Sequence, residues 1–401
     1  MKSAAQQMEI IKRGVVDVVT EQDLAEKLKK GAPLRVKLGI DPTASDIHLG
    51  HSVALNKLRQ FQDLGHKAVL IIGDYTAMIG DPSGRMSERP ALTRDEIMKN
   101  VESYKEQALK ILDGDRLEIV FNGDWFEKFD FSEVVKLVSK FTIAQMMEHD
   151  YFDKRFKEGA PLSLHEMFYP IMQGYDSVMI KADIELGGTD QRFNVIQGRY
   201  LQRESGMEPQ AGLFTPILLG LDGKNKMSKS LNNYIGLNDA PEDMFGKVMS
   251  ITDDMTKDYF ELLTDVPAEE IKNMMDSMAA GENPVNIKKR LAEEITAKYC
   301  GEDTAAAARA HFEALFAKKE VPYADNIFSW DENFPDKEEI NPAELLTALG
   351  MASSGSEANR LVKQGGFALN GEKITDFRFP VKKSLLPVDF KAGKRKYGRL
   401  V

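Results

Sequence analysis

Apolar and polar residues alternate through LRVKLGI, with Leu34, Val36, Leu38 and Ile40 on one side and Arg35, Lys37 and Gly39 on the other. This period of two predicts a half-buried strand. Asp41-Pro42-Thr43-Ala44-Ser45-Asp46 breaks it with turn chemistry. From His48 onward Val53, Leu55, Leu58, Phe61 and Leu64 recur at helical spacing, and Gly65 stands where a C-terminal cap belongs. Lys67–Gly73 (KAVLIIG) is a continuous apolar run, as a strand buried on both faces requires. The glycine-punctuated stretch Asp74 to Arg85 after it belongs at the ligand-binding edge of a doubly wound sheet. Further strands are predicted at Arg116–Asn122, Ala182–Leu186 and Phe214–Leu221. Helices are predicted at Val101–Leu112, at Glu133–Phe156, around Phe168–Asp176, and up to Tyr200. Residues 3–30 read as a helical lead-in. Residues 240–319 are helical almost throughout, and a stretch rich in Pro, Asp and Asn follows.

Composition narrows the class. At 401 residues, 42% hydrophobic and 29% charged, the chain is long enough for two or three domains. It has no run of about 18 uncharged apolar residues to span a membrane, and its first residues lack the apolar core of a secretory signal. One cysteine, Cys300, excludes an intramolecular disulfide framework. The expectation is a soluble, cytoplasmic protein. The net charge of -10 is uneven: residues 341–401 hold eleven Lys/Arg against five Asp/Glu, a net +6 that leaves -16 for the rest. A polyanion is therefore expected to meet the C-terminal end.

Four patterns carry chemistry. His48 and His51 sit three apart in the first turn of a helix, beside free backbone donors and the positive dipole end, which suits phosphate binding. Gly50 between them lets a ligand approach the backbone. H-x-x-H is also half of a zinc site, but no further ligand cluster lies nearby in the sequence. Lys226-Met227-Ser228-Lys229-Ser230 follows a polar turn, and two lysines on a mobile loop suit a polyphosphate under cleavage. Tyr169, Gln173 and Asp176 share one helix face at i, i+4 and i+7, either an exposed polar stripe or a surface that reads a polar ligand. Gly187-Gly188-Thr189-Asp190-Gln191 opens a helix, either as an ordinary N-cap or as a ribose contact.

HLGH and KMSKS together resemble the signatures of the class I aminoacyl-tRNA synthetases. GDPSG (Gly80–Gly84) is similar to the tyrosyl and tryptophanyl branch, and Y-x-x-x-Q-x-x-D to the amino-acid pocket of the tyrosyl enzymes. The resemblance implies an α/β, Rossmann-like doubly wound parallel sheet as catalytic domain over residues 1–236. A connecting insertion at about 86–160 would build a homodimer interface. A helical anticodon-recognition domain would span 237–325, where Asn283–Ala292 resembles that region, followed by a linker at 326–340. Residues 341–401, with Ser354–Gly366 and Leu369-Asn370-Gly371, resemble a small α+β S4-type RNA-binding domain. The implied substrates are L-tyrosine, ATP and tRNA(Tyr), with Mg2+ on the ATP phosphates and no metal site of the protein's own.

Residue by residue, the resemblance implies that Thr43, His48 and His51 bind the phosphates and that Lys226 and Lys229 clamp pyrophosphate. Gly39, Asp41, Gly50, Gly188, Asp190 and Ser230 would line the ATP side. Asp81, Tyr169 and Gln173 would hold the α-amino group, Asp176 would accept from the phenol, and Thr76 and Gln191 would complete the pocket. Arg360, Lys363, Lys394, Arg395 and Lys396 would meet tRNA phosphates, with Lys391 and Arg399 extending the patch. Lys37 departs from the pattern, because many tyrosyl enzymes have a tyrosine there that reaches the substrate hydroxyl. Alternation turns Lys37 towards the ligand side, where it either pairs with Asp176 or points to solvent. Other readings are a tryptophanyl enzyme, a small nucleotidyltransferase with the same H-x-G-H, and a non-catalytic RNA-binding protein.

Overall fold

A six-stranded sheet organises the first part of the chain. In chain order its strands are β1 (Asp17–Val19), β2 (Arg35–Ile40), β3 (Lys67–Ile72), β4 (Leu117–Phe121), β5 (Ile184–Gly188) and β6 (Ala211–Thr215). Side by side they run β1-β6-β5-β2-β3-β4, all parallel except β1, which pairs antiparallel with β6. The computed structural model describes residues 2–42, 46–83, 93–317, 326–393 and 396–401. The chain divides into two units, Met1–Ala306 and Ala307–Val401.

The expected doubly wound sheet is present, and its central strand corrects one expectation. β2 lies between β3 and β5, and both of its faces are covered: Val36 and Lys37, neighbours that point to opposite faces, are both fully buried. Alternation implied a half-buried strand with Lys37 on an open face. A central parallel strand has no open face until its C-terminal end, where Gly39 is exposed. Because β3 and β4 lie to one side of β2 and β5 and β6 to the other, a crevice opens beyond the C-terminal ends of β2 and β5.

Other boundaries moved for local reasons. The lead-in is two helices, Ala4–Lys12 and Glu21–Lys29, separated by β1, because Gly14 at φ 66° ends the first helix. The helix expected over Glu133–Phe156 is three: Phe131–Val138, Ile143–Met146 and Asp150–Lys157. A capping box at Asp130/Glu133 starts the first at Phe131, and one at Thr142/Gln145 starts the second. The strand expected from Phe214 to Leu221 ends at Thr215, since Pro216 has no N–H for a ladder. The helices of the 240–300 region form at Pro241–Met249, Thr256–Leu263, Ala268–Ala279 and Pro284–Cys300. They belong to the first unit: Tyr259 Oη donates to the Leu219 carbonyl at 2.8 Å, and Arg13 donates to the Val266 carbonyl at 2.6 Å.

The second unit holds a five-stranded sheet ordered β10-β9-β12-β13-β7 and a two-stranded sheet of β8 and β11. The strands are β7 (Ile327–Phe328), β8 (Glu339–Ile340), β9 (Phe367–Leu369), β10 (Glu372–Ile374), β11 (Val381–Lys382), β12 (Val388–Ala392) and β13 (Lys396–Leu400). Helices Pro342–Ala348 and Gly355–Lys363 pack with them. The stretch 326–340, expected as a linker, is part of this fold. β7 pairs with β13, and Trp330 is 1% exposed in a core with Leu345, Val362, Phe367 and Phe390. Polar composition hid it, because a short edge strand and one tryptophan are enough to anchor a segment.

A fragment of residues 326–401 should therefore melt cooperatively, while one of residues 341–401, without β7 and Trp330, should not. Thermal circular dichroism on both distinguishes the cases. Equal melting of the two would return 326–340 to the status of a linker.

Candidate active site

The sequence Asp46–His51 leaves the end of β2 and enters the helix Leu49–Asp63, with His48 at its N-cap. The rings of His48 and His51 stack with centroids 3.8 Å apart, and the His48 amide donates to His51 Nδ1 at 3.3 Å. Gly50 has a different role from the one expected. A Cβ there would sit 3.0 Å from the His48 ring and 3.4 Å from Met227 Cβ, so glycine makes room for the ring and for the lysine-bearing loop. Burial, then the other histidine and Lys229, lower the His48 pKa to about 2; burial, then Lys229 and Lys226, lower that of His51 to about 4. Both imidazoles are neutral at ordinary pH and act as hydrogen-bonding groups, not as charges.

The positive charge comes from the second loop. Met227 is buried, and its amide donates to the Leu218 carbonyl at 3.0 Å, which ties Lys226–Ser230 back to the first unit. Lys229 Nζ lies 2.5 Å from Asp46 Oδ2 and 5.9 Å from the Tyr234 ring centroid. Lys226 Nζ lies 3.6 Å from Asp190 Oδ2. Burial raises the pKa of Asp190 while Lys226 opposes the rise. Gly188 precedes it, and a Cβ at Gly188 would come within 2.7 Å of Asp190 Oδ1. A Cβ at Gly39 would enter open space. Ser230 is exposed, its Oγ 2.8 Å from Ser228 Oγ. Thr43 lies outside the described residues.

The helix Phe168–Met179 brings Tyr169, Gln173 and Asp176 to the crevice, as its spacing implied. Tyr169 Oη donates to Asp41 Oδ2 at 2.9 Å, and Thr76 Oγ1 to Asp41 Oδ1 at 2.8 Å. Asp41, expected on the nucleotide side, thus stands among the amino-acid pocket residues. Gln191 Nε2 donates to Asp81 Oδ2 at 2.7 Å. Asn194 Nδ2 reaches Gln191 Oε1 at 3.1 Å and Gln173 Oε1 at 3.0 Å. Asp176 is buried, accepting from Trp125 Nε1 at 3.1 Å and from Asn122 Nδ2 at 3.4 Å. Burial, opposed by Lys37 and these donors, pushes its pKa up to about 7.

Lys37 neither hydrogen-bonds Asp176 nor meets solvent. Its Nζ donates to the Gln173 carbonyl at 2.7 Å and to Ser177 Oγ at 2.8 Å, and pairs with Glu185 Oε1 at 2.8 Å. An ammonium has three protons, and these are three acceptors. Lys37 therefore lies beneath the pocket with no donor left for a phenol. The residues that the sequence reading missed are Glu185, Asn122, Trp125, Asn194 and Asp46. Glu185 carried a signal, as a lone acid inside the apolar strand Ile184-Glu185-Leu186 that would demand a buried partner.

In the second unit Arg360 and Lys363 are exposed, and Lys363 Nζ stands 4.8 Å from the Phe377 ring centroid. Lys396 is exposed and donates to the Met351 carbonyl at 2.6 Å. Arg399 pairs with Asp389 at 2.7 Å within the sheet, so it serves the fold more than the patch. Lys394 and Arg395 lie outside the described residues. Among the described residues no cluster of three His, Cys, Asp or Glu side chains suits a metal ion, and no helix is long and apolar enough to cross a membrane.

This arrangement matches known proteins along the whole chain. Residues 343–385 match the S4 domain. A tyrosine--tRNA ligase of Carboxydothermus hydrogenoformans is 50% identical over 400 residues, covering 98% of this chain and 97% of that protein. One of Thermotoga maritima is 50% identical over 396 residues, covering 98% and 97%. In fold, the chain is similar to a C-terminally truncated mitochondrial tyrosyl-tRNA synthetase of Aspergillus nidulans, with a TM-score of 0.66 at 23% identity over 79% of this chain and 95% of that one. A tyrosyl-tRNA synthetase of Archaeoglobus fulgidus complexed with L-tyrosine gives 0.62 at 21% over 76% and 99%. Residues 29–317 match the tRNA synthetases class I (W and Y), and the chain belongs to that family.

Proposed function

We infer that this chain ligates tyrosine to tRNA(Tyr) at the expense of ATP, in two steps at the crevice beyond β2 and β5. The observation that carries the choice of tyrosine is Asp176, a buried carboxylate at the base of the pocket with Trp125 and Asn122 as its donors. In the first step a tyrosine carboxylate oxygen attacks the α-phosphorus, and the bond to pyrophosphate breaks. In the second, the 3′-terminal ribose hydroxyl of tRNA attacks the adenylate carbonyl and AMP leaves. No side-chain nucleophile is needed, so catalysis is positioning plus electrostatics. Tyr169, Gln173 and Asp81 hold the ammonium, and Gln191 holds Asp81. Neutral His48 and His51 hydrogen-bond the phosphate oxygens. Lys226 and Lys229 leave Asp190 and Asp46 for the pyrophosphate, which offers more negative charge than either carboxylate. A magnesium ion bound to the nucleotide phosphates would supply charge neutralisation of the leaving pyrophosphate. Among the described residues Asp46 and Asp190 are the carboxylates beside the lysines, each paired with one of them, and they do not gather into a hard-oxygen cage for the ion.

The second unit receives tRNA phosphates on Arg360, Lys363 and Lys396. A homodimer forms through the insertion, where Phe131, Ile143 and Phe156 are 82%, 72% and 70% exposed, with Leu164 just beyond it at 76%. A cytoplasmic setting completes this reading.

Amino-acid-dependent pyrophosphate exchange over the twenty amino acids tests the assignment: tyrosine alone should support it, and exchange with tryptophan instead would overturn the reading of Asp176. A chain ending at Ala317 should retain tyrosine-dependent exchange while tRNA charging falls steeply. Normal charging by that chain would remove the second unit from tRNA binding.

The Asp176 pKa predicts a pH effect. The phenol stays protonated below pH 9 and donates more strongly to an ionised acceptor than to a neutral one. A carboxyl raised to about 7 loses its charge as pH falls from 8 to 6. KM for tyrosine should therefore rise over that window in the native chain and stay flat in Asp176→Asn. A native profile as flat as the variant's would mean that Asp176 does not receive the phenol.

A further inference from the structure

Beneath the tyrosine pocket lies a buried charge pair to which the reaction assigns no role. Lys37 on β2 and Glu185 on β5 are register partners across the two central strands and are 0% and 1% exposed. Glu185 Oε1 accepts from Lys37 and, at 3.2 Å, from Gln173 Nε2. Glu185 Oε2 accepts from Ser177 Oγ at 3.0 Å and from Gln210 Nε2. Gln173 is only partly buried and reaches the crevice, and its Oε1 accepts from Asn194 Nδ2 at 3.0 Å.

A primary amide has two ends, and the protein must choose which one faces the ligand. An ionised carboxylate only accepts, so the Gln173 NH2 must face Glu185 and its oxygen must face the crevice. The ammonium of an amino acid only donates, so it needs that oxygen. Asn194 cannot make this choice by itself. Its Nδ2 is shared with Gln191, and its Oδ1 is buried without a hydrogen-bond partner, so a joint turn of both amides would give a reversed Gln173 an acceptor. Lys37 stabilises the Glu185 charge in the dry interior and also holds the Gln173 carbonyl, fixing the backbone from which the amide projects.

We propose that the Lys37–Glu185 pair is a positioning device that fixes which end of the Gln173 amide meets the substrate, and thereby makes the pocket select an α-ammonium. It rests on the tyrosine reading of the pocket. Glu185 and Lys37 touch no substrate atom. They act through Gln173, and the lysine that stands at the position of a family tyrosine serves the ammonium end of the substrate through this pair rather than the phenol.

The test compares binding of L-tyrosine with that of 3-(4-hydroxyphenyl)propanoate, which keeps the phenol and carboxylate but has no ammonium, by calorimetry on the full chain. Glu185→Gln should weaken tyrosine about ten- to a hundredfold, the range of a hydrogen bond to a charged group, while the analogue's affinity stays within about twofold. Should Glu185→Gln fail to fold with Lys37 left unpaired, the double variant Lys37→Met/Glu185→Gln, which removes both charges together, gives the same readout. Unchanged preference for tyrosine in a folded variant overturns the proposal, as does equal weakening of both ligands, the mark of a merely structural role. Gln173→Ala separates the two levels of inference. If it weakens tyrosine alone while the Glu185 variants do not, the positioning role fails; if it weakens neither ligand, the pocket assignment fails.

Discussion

A lysine and a glutamate facing each other across the two central strands set the terms for the rest of the catalytic unit. Burying two charges costs several kcal/mol per ion unless every donor and acceptor is satisfied. Satisfying them requires neighbours at close range: Ser177 and Gln173 from one helix, and Gln210 from the segment before β6. That in turn requires the helices Phe168–Met179 and Arg192–Glu204 to touch backbone to backbone. A Cβ at Gly174 would lie 2.9 Å from the Gly198 nitrogen. The same contacts aim Tyr169, Gln173 and Asp176 into the crevice. The polar base of the pocket and the packing of its walls are thus one arrangement, not a site added to a finished fold.

The phosphate side follows a different logic. Its histidines are stripped of charge by burial and by the lysines beside them, and those lysines rest on Asp46 and Asp190. Two carboxylates hold the lysine-bearing loop by its charges. In the proposed reaction they yield to a ligand of greater negative charge, so that fixed neutral donors would orient oxygens while movable cations would meet charge as it develops.

How much of this was legible in the sequence depended on the range of the determining contacts. Local chemistry read through well: the strand–loop–helix around His48, the face of Tyr169, Gln173 and Asp176, and the four helices between Pro241 and Cys300. Features that depend on strand order did not. Alternation in LRVKLGI suggested an open face for Lys37, and only the helix Phe168–Met179, packed over that face, closes it. The resemblance placed Asp41 on the nucleotide side, yet Thr76 and Tyr169, far apart in sequence, claim both its oxygens. Trp330 was lost in a polar stretch because most of its core, from Leu345 to Leu400, lies further along the chain. In each case the deciding neighbour was remote in sequence, and a single chain without its sheet order cannot supply it.

A crystal structure of the tyrosine complex tests the central claim most directly. The account predicts the phenol oxygen within hydrogen-bonding distance of Asp176, the ammonium on Gln173 Oε1, and Lys37 Nζ still bound to Glu185 and the Gln173 carbonyl. A complex in which Lys37 Nζ has left Glu185 to meet the phenol, or in which the Gln173 nitrogen faces the ligand, would contradict it.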